Sequence, residues 1–199
     1  MRCSLAGLAI LFCTGATWAS AAEVPSLASP LSSVFVFGGV LNDGNLGQTM
    51  VVVGNRYEHS GIAGAAYRAE FFRLGSAFNM GAEFGTAVRF GDGTSGEFWG
   101  AGTLTYRGFE TGGFAFIPTG VFGLSAITNT MGVERARAIE HGGNESLLFY
   151  VGFELAISNA KLPGWELVYR VHHRSGGYGV LGGVIEGHNA NVLGIRHYF

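Results

Sequence analysis

The chain has 199 residues, of which 34 are glycine, 16 are phenylalanine and only 13% are charged. Soluble domains usually contain about 25% charged residues, so this composition indicates that something other than water contacts part of the surface. The formal net charge of −2 argues against nucleic-acid binding, and loss of Arg2 with the N-terminus would leave 11 basic and 14 acidic residues.

The N-terminus has the pattern of a secretory signal peptide. Met1-Arg2 precedes an uncharged run that includes residues 8–12, and the small residues Ala19-Ser20-Ala21 follow. We expect cleavage after Ala21 or Ala22, so that residues 1–21 form the signal peptide and residues 22–199 a single domain. An uncleaved anchor remains an alternative, although the apolar run is short for a membrane span of ~20 residues.

Both cysteines, Cys3 and Cys13, lie in this N-terminal segment. Lipid attachment at Cys13 is disfavoured because bulky Phe12 precedes it, where such signals require a small residue. The domain that follows is therefore expected to contain no disulfide and no cysteine-based metal or redox site.

The rest of the chain shows period-two alternation. No later segment offers ~18 consecutive apolar residues, so no transmembrane helix is expected. The alternation instead predicts about eight β-strands, near residues 33–41, 60–73, 77–91, 95–107, 116–130, 145–158, 164–175 and 188–199.

One face of these strands is apolar and the other carries charges. In the third strand, for example, Met80, Phe84 and Val88 alternate with Glu83 and Arg89. A soluble sandwich would bury the apolar face, but eight strands with this much apolar surface and almost no lysine fit a membrane barrel that is apolar outside and polar within. The predicted fold is an all-β, eight-stranded antiparallel transmembrane β-barrel of the bacterial outer membrane, because only closure leaves no unpaired strand edge in lipid.

Connection lengths predict the orientation of the barrel. Outer-membrane barrels have short periplasmic turns, longer external loops and periplasmic termini, so the odd-numbered connections should be external. Those near 42–59 and 131–144 are long, and the turn at 159–163 is short, but the external connection at 91–94 is also short and fits less well. The chain ends on Phe199 after alternating apolar residues, which resembles the terminal signature of bacterial outer-membrane proteins.

Charged residues on the other face are expected to fill the barrel. An eight-stranded barrel has room for little more than side chains, and buried charges are costly unless they are paired. We therefore expect an internal ion-pair network rather than a pore, formed by Arg68, Glu70, Glu83, Arg89, Glu97, Glu154, Glu166, Arg170, His172 and Arg174.

A candidate chemical site lies at the end of the seventh strand. Strand parity places His173 and Ser175 on the apolar face, at the external end, whereas His172 points into the barrel. Residues two apart on a strand are about 6 to 7 Å apart, so a base and a nucleophile lie within reach of each other. Glu186 is the next acid in the sequence, and His188 and Asn189 are alternative polar partners.

The segment from His172 to Phe199 resembles the lipid A 3-O-deacylases (acyloxyacyl hydrolases of the PagL type), a family of eight-stranded outer-membrane barrels. That family carries a His-x-Ser motif late in the penultimate strand and a glutamate about fourteen residues after the histidine. His173-Arg174-Ser175 matches the motif, and Glu186 stands thirteen residues after His173. Where the family usually has asparagine after the serine, this chain has Gly176-Gly177.

The resemblance implies a specific reaction. Ser175 would be the nucleophile, His173 the general base and Glu186 the residue that orients it, with the backbone N–H groups of Gly176 and Gly177 replacing the asparagine as oxyanion donors. The substrate would be lipid A of lipopolysaccharide, hydrolysed at its 3-position ester without a cofactor. The partners implied are lipid A and other outer-membrane lipids, and a homodimer is left open.

Two other functions fit the same sequence. A noncatalytic structural or adhesive barrel would act through its external loops near 42–59 and 131–144. A small-ligand carrier would have a hollow barrel, and its binding would depend on lumen residues such as Glu83 or Arg170.

Overall fold

The computed structural model describes residues 26–199, with side chains from residue 31. The predicted signal peptide, residues 1–21, lies outside the described residues. No helix between residues 26 and 199 has the length and apolar character needed to span a membrane. The elements in chain order are β1 (Ser26–Asn42), α1 (Leu46–Met50), β2 (Tyr57–Leu74), β3 (Phe78–Gly91), β4 (Gly93–Tyr106), β5 (Phe109–Thr111), β6 (Phe114–Ile127), α2 (Gly132–His141), β7 (Leu147–Asn159), β8 (Trp165–Ser175) and β9 (Glu186–Tyr198).

Eight long strands close into an antiparallel barrel. Neighbouring long strands pair in chain order, and β9 pairs with β1 to complete the ring. The three-residue β5 pairs only with β6, and two residues without strand structure, Arg107-Gly108, separate it from β4. β4 itself pairs directly with β6. The predicted eight-stranded antiparallel barrel is confirmed, and each long strand exceeds or meets the 9–11 residues that a tilted strand needs to cross a bilayer.

The outward face of the barrel is apolar, as the alternation predicts. Phe84 is 65% exposed and Phe122 is 62% exposed. Aromatic side chains also collect at the end that carries the chain termini, where the rings of Trp165 and His197 lie 4.4 Å apart. An apolar outer band with aromatic residues at its edge is typical of barrels that contact lipid.

The middle of the lumen is filled by a balanced set of buried charges. Glu154 binds Arg170 at 2.6 Å and Arg196 at 2.7 Å, and Glu83 binds Arg68 and Arg170, each at 2.7 Å. Arg68 also reaches Glu154, at 3.1 Å. Because every guanidinium meets at least one carboxylate, the desolvation cost of each charge is offset by its partners. The expected ion-pair network is confirmed, with Arg196 as an additional member.

The external end of the lumen is covered by helix α2, which the period-two alternation does not predict. The buried carboxylate of Glu134, on α2, binds Arg89 at 2.8 Å and also pairs with Arg174. Arg137 of the same helix donates to the carbonyl of Gly187 at 2.5 Å and to that of Asp43 at 2.8 Å. The connection near 131–144 is therefore an ordered helix over the barrel mouth and not an irregular loop.

A buried carboxyl group next to this helix predicts a pH-dependent stability. Glu145 lies between α2 and β7, is fully buried, and forms no ion pair within residues 31–199. Burial and the neighbouring Glu134 carboxylate raise the pKa of Glu145 to about 8. Since the unfolded chain ionises this group near pH 4.5, the folded state should lose stability as the pH rises from about 4.5 through about 8.

Glu145→Gln should remove this pH dependence, because glutamine stays neutral at every pH. The measurement is urea unfolding of both proteins in detergent at pH 5, 7 and 9, and the quantity of interest is the difference between their unfolding free energies. That difference should shift in favour of the glutamine variant as the pH rises. An unchanged difference between pH 5 and pH 9 would show that Glu145 is ionised throughout.

Candidate active site

His173 faces outward, as strand parity predicts, but it is not exposed. It pairs across the sheet with Val151 of β7 and Asn189 of β9, and only 3% of its surface is accessible. The first external loop covers it, because helix α1 packs against β8 and β9. The imidazole therefore lies on the outer surface of the barrel wall but is buried beneath this loop.

A network of amides ties this loop to the wall. Thr49 of α1 donates its hydroxyl to Asn42 at 2.8 Å, and Asn42 donates to Asn191 at 3.2 Å. Asn191 donates in turn to the carbonyl of Thr49 at 3.0 Å and to the hydroxyl of Tyr169 at 2.6 Å. Asn45 precedes helix α1 as its N-cap, and its side chain accepts a hydrogen bond from the N–H of Gln48. The loop is thus held by hydrogen bonds at its base and along its helix.

Two polar side chains meet the Nδ1 atom of His173. The Oδ1 atom of Asn189 lies 2.5 Å away, and the Oε2 atom of Glu186 lies 3.8 Å away. The first distance is that of a hydrogen bond. The second is short enough for an ion pair but too long for a hydrogen bond. The structure therefore brings predicted residues His173 and Glu186 together and places Asn189 closer to the ring than Glu186.

A β-bulge brings Glu186 to this face. His173 pairs with Asn189, but Ser175 pairs with Glu186, so two steps along β8 match three along β9. Without the extra residue, Glu186 would share the inward side with His188, since strand residues alternate between faces. The register shift thus turns Glu186 toward the side of His173, and it shows how an acid thirteen residues after the histidine reaches it.

Ser175 lies at the end of β8, next to the last external loop. Its hydroxyl donates to the carbonyl of Ile185 at 3.4 Å and accepts from the N–H of Gly177 at 3.1 Å. The hydrogen bonds of the described chain do not join Ser175 to His173. Catalytic hydrogen bonds are often long in structures without substrate, and a rotation of the serine hydroxyl about its Cα–Cβ bond changes its partners.

The two predicted oxyanion donors differ in what they already bind. The N–H group of Gly176 donates to the carbonyl of Ile185 at 3.1 Å, so it is engaged within the loop. The N–H group of Gly177 faces the Ser175 hydroxyl. A side chain at residue 176 would also be excluded, because a Cβ there would lie 1.8 Å from the carbonyl oxygen of Val184. This contact explains why an asparagine does not fit at this position of the loop.

Two further histidines at this end, His172 and His188, point into the lumen. His172 lies 2.8 Å from Glu97 and 3.2 Å from the hydroxyl of Tyr150, which confirms its predicted inward orientation. His188 contacts Arg89 and lies 3.1 Å from Glu58. Of the two alternative partners considered for His173, the structure places Asn189 beside it and His188 on the opposite face of β9.

A shallow apolar groove crosses the outer wall beside the site. Its floor includes the glycines Gly102 and Gly120, its walls include Phe122 and Phe153, and it reaches Val151, the cross-strand partner of His173. Because these two glycines have no side chains, the outer surface is lower here than at the neighbouring phenylalanines. A hydrocarbon chain has the polarity that such a surface accommodates.

Comparison with known proteins supports the architecture. No protein-family profile matches the sequence, and no curated protein matches it significantly. The structure resembles Neisserial surface protein A, with a TM-score of 0.51, 11% identity, and coverage of 84% of this chain and 97% of that one. It also aligns with the outer membrane enzyme PagL, with a TM-score of 0.49, 15% identity, and coverage of 85% and 99%.

A third solved structure, the outer membrane protein Ail of Yersinia pestis, aligns with a TM-score of 0.44 and 13% identity over 86% of this chain and all of that one. Identities this low concern architecture alone. The apolar outer band, the charged lumen and the likeness to Neisserial surface protein A agree on one conclusion. The chain has the fold of the eight-stranded β-barrels of the bacterial outer membrane.

Proposed function

We propose that the protein is a lipid A deacylase that hydrolyses the ester-linked 3-hydroxyacyl chain at position 3. The observation that carries this proposal is the buried His173 on the outward face, with its Nδ1 atom hydrogen-bonded and Ser175 two residues further along the same face. A histidine held in this way has its Nε2 atom available as a base. Its position at the external rim of the apolar band is where the ester bonds of outer-leaflet lipopolysaccharide lie.

The chemistry follows the general scheme of serine esterases. His173 Nε2 accepts the hydroxyl proton as Ser175 Oγ attacks the ester carbonyl carbon. The bond to the sugar oxygen then breaks, and His173 returns the proton to that oxygen. Water attacks the acyl-enzyme with His173 again as base, which releases a 3-hydroxy fatty acid and restores Ser175. The N–H group of Gly177, next to Ser175 Oγ, is the remaining loop donor for the oxyanion.

The surroundings of the site are compatible with a lipid substrate. The groove beside Val151 is apolar and lies on the outward wall, so an acyl chain would bind outside the barrel while the sugar stays at the rim. The lumen offers no comparable path, because its middle is occupied by paired charges. This filling also argues against a hollow-barrel ligand carrier.

A noncatalytic barrel acting through its external surface is the alternative function. Ordered external structure favours it, since partly buried hydrogen bonds hold α2 and a buried one holds the loop that contains α1. Such a protein would need neither Ser175 nor His173. The two functions therefore differ in whether the site alters lipid A.

The test is mass spectrometry of lipid A after incubation with the refolded mature protein in detergent, with Ser175→Ala as the matched variant. A deacylase should remove one 3-hydroxyacyl chain, and Ser175→Ala should not. Folding of both proteins is checked by their heat-modifiable migration on SDS gels. Unchanged lipid A with a folded native protein would refute the proposal and favour the noncatalytic barrel.

A further inference from the structure

We infer that Asn189 is the residue that orients His173. The site then works as a Ser175-His173-Asn189 triad, and Glu186 is an electrostatic neighbour of the imidazole. This inference deepens the proposed function and rests on it for its kinetic consequences. The resemblance to the deacylase family would give the orienting role to Glu186 alone. The geometry around the Nδ1 atom of His173 assigns it differently.

The orientation of the Asn189 amide is determined by its second hydrogen bond. Its Nδ2 group donates to the carbonyl of Gly44 at 2.6 Å, and a carbonyl oxygen can only accept. The Oδ1 atom must therefore face His173, at 2.5 Å from Nδ1. Because an amide oxygen is also only an acceptor, Nδ1 must carry the proton. The neutral imidazole then has its lone pair on Nε2, which is the tautomer that a general base for Ser175 requires.

Because the site is buried, this hydrogen bond determines the tautomer of His173. Asn189 is fully buried and His173 is 3% exposed, so water does not replace the amide as a partner. Removal of the oxygen would leave a buried N–H group unsatisfied, which is costly. The ring would escape this cost by turning or by moving its proton to Nε2, and either change removes the base.

Glu186 is placed for a different task. Its Oε2 atom is 3.8 Å from Nδ1, too far for a hydrogen bond, and its side chain is 26% exposed. A carboxylate at this distance stabilises the positive imidazolium that forms when Nε2 takes a proton. It does not select the tautomer of the neutral ring, because it forms no hydrogen bond with the Nδ1–H group.

The first external loop belongs to this arrangement. The carbonyl that holds the Asn189 amide is that of Gly44, at the start of the loop that contains α1. The same loop is fixed to the wall by the Asn42 and Thr49 hydrogen bonds described above. Asn189 therefore connects the position of the loop to the proton state of His173.

The decisive experiment is nitrogen NMR of the imidazole groups in the refolded barrel, with histidine labelled with ¹⁵N. It reports the tautomer of His173 whether or not the protein hydrolyses lipid A. The native protein should show Nδ1–H, and Asn189→Ala should shift His173 to Nε2–H or to a mixture. Asn129→Ala, which changes an exposed asparagine of an external loop, should leave the His173 signals unchanged.

Kinetics with lipid A supply the second readout. Asn189→Ala should lower kcat by roughly 10²- to 10⁴-fold and change KM little. The upper limit is the loss found when the base of a serine hydrolase adopts the wrong tautomer. Asn189→Asp keeps an acceptor for Nδ1 and should recover much of the loss. Glu186→Ala should reduce kcat but preserve the Nδ1–H tautomer.

The outcomes separate the inference from the proposed function. If Glu186→Ala changes the tautomer and Asn189→Ala does not, the assignment to Asn189 is wrong even in an active enzyme. If Asn189→Ala changes the tautomer but the native protein leaves lipid A intact, the orienting role is supported and the deacylase proposal fails. If Asn189→Ala does not fold, Asn189→Asp with retained Nδ1–H supports the inference, and Asn189→Asp with Nε2–H overturns it.

Discussion

His173→Gln is expected to lower the rate of lipid A deacylation by roughly 10⁴-fold or more, which is typical of the loss of the base in a serine hydrolase. Glutamine preserves a polar side chain of similar reach, but it cannot accept the proton of Ser175 at neutral pH. The barrel should still fold, because His173 lies on the outer wall and is not part of the lumen network. The measurement is the initial rate of 3-hydroxy fatty acid release from lipid A in detergent.

His59→Gln is the matched control, since His59 is an exposed histidine at the external end of β2. It should retain the native rate. The double variant His173→Gln with Ser175→Ala should be no slower than either single variant. If the two residues act as a unit, loss of either one removes the whole rate enhancement that they provide, and the second substitution has nothing further to remove. Losses of only a few fold, or losses that add, would contradict a shared catalytic role.

Glu154→Gln should destabilise the barrel by about 3–5 kcal/mol, the usual cost of breaking a buried ion pair from one side. Glu154 accepts hydrogen bonds from three buried guanidinium groups, at distances between 2.6 and 3.1 Å. In the native lumen, the three arginines face three carboxylates: Arg68, Arg170, Arg196, Glu83, Glu154 and Glu166. Neutralising Glu154 leaves a net buried positive charge.

The measurement is urea unfolding in detergent, followed by tryptophan fluorescence. Glu140→Gln changes an exposed acid on α2 and should leave the unfolding midpoint within experimental error. The double variant Glu154→Gln with Arg68→Gln restores the charge balance and should recover part of the lost stability. A native-like midpoint for Glu154→Gln alone would show that water or lipid headgroups compensate the lumen charges.

The strand pattern and the inward charges could be read from the sequence because they are local properties. Alternation of apolar and polar residues reports directly which side of a strand faces lipid. It placed Glu83 and Arg89 inside, and it placed His173 on the outward face, as the structure shows. The pairing of the long strands also followed, since consecutive antiparallel strands joined by short turns are neighbours.

The external helices were not predicted. Helix α1 has only five residues and α2 has ten, and helices this short are marginal on their own. Tertiary contacts stabilise them, such as the bonds from Glu134 to the lumen arginines. The packing of α1 against β8 and β9 covers His173, so its burial could not be inferred from parity.

The sequence by itself determined the alternation, the apolar outer face, the charged lumen and the His-x-Ser pair, because each depends on residues a few positions apart on one strand. Only the tertiary structure decided which charges pair, that Arg196 joins them, and that Asn189 stands closest to His173. Those contacts depend on barrel closure, on loops that fold over the wall, and on one register shift between β8 and β9. A bulge of a single residue reverses which face a side chain occupies, and no local sequence pattern predicts this bulge.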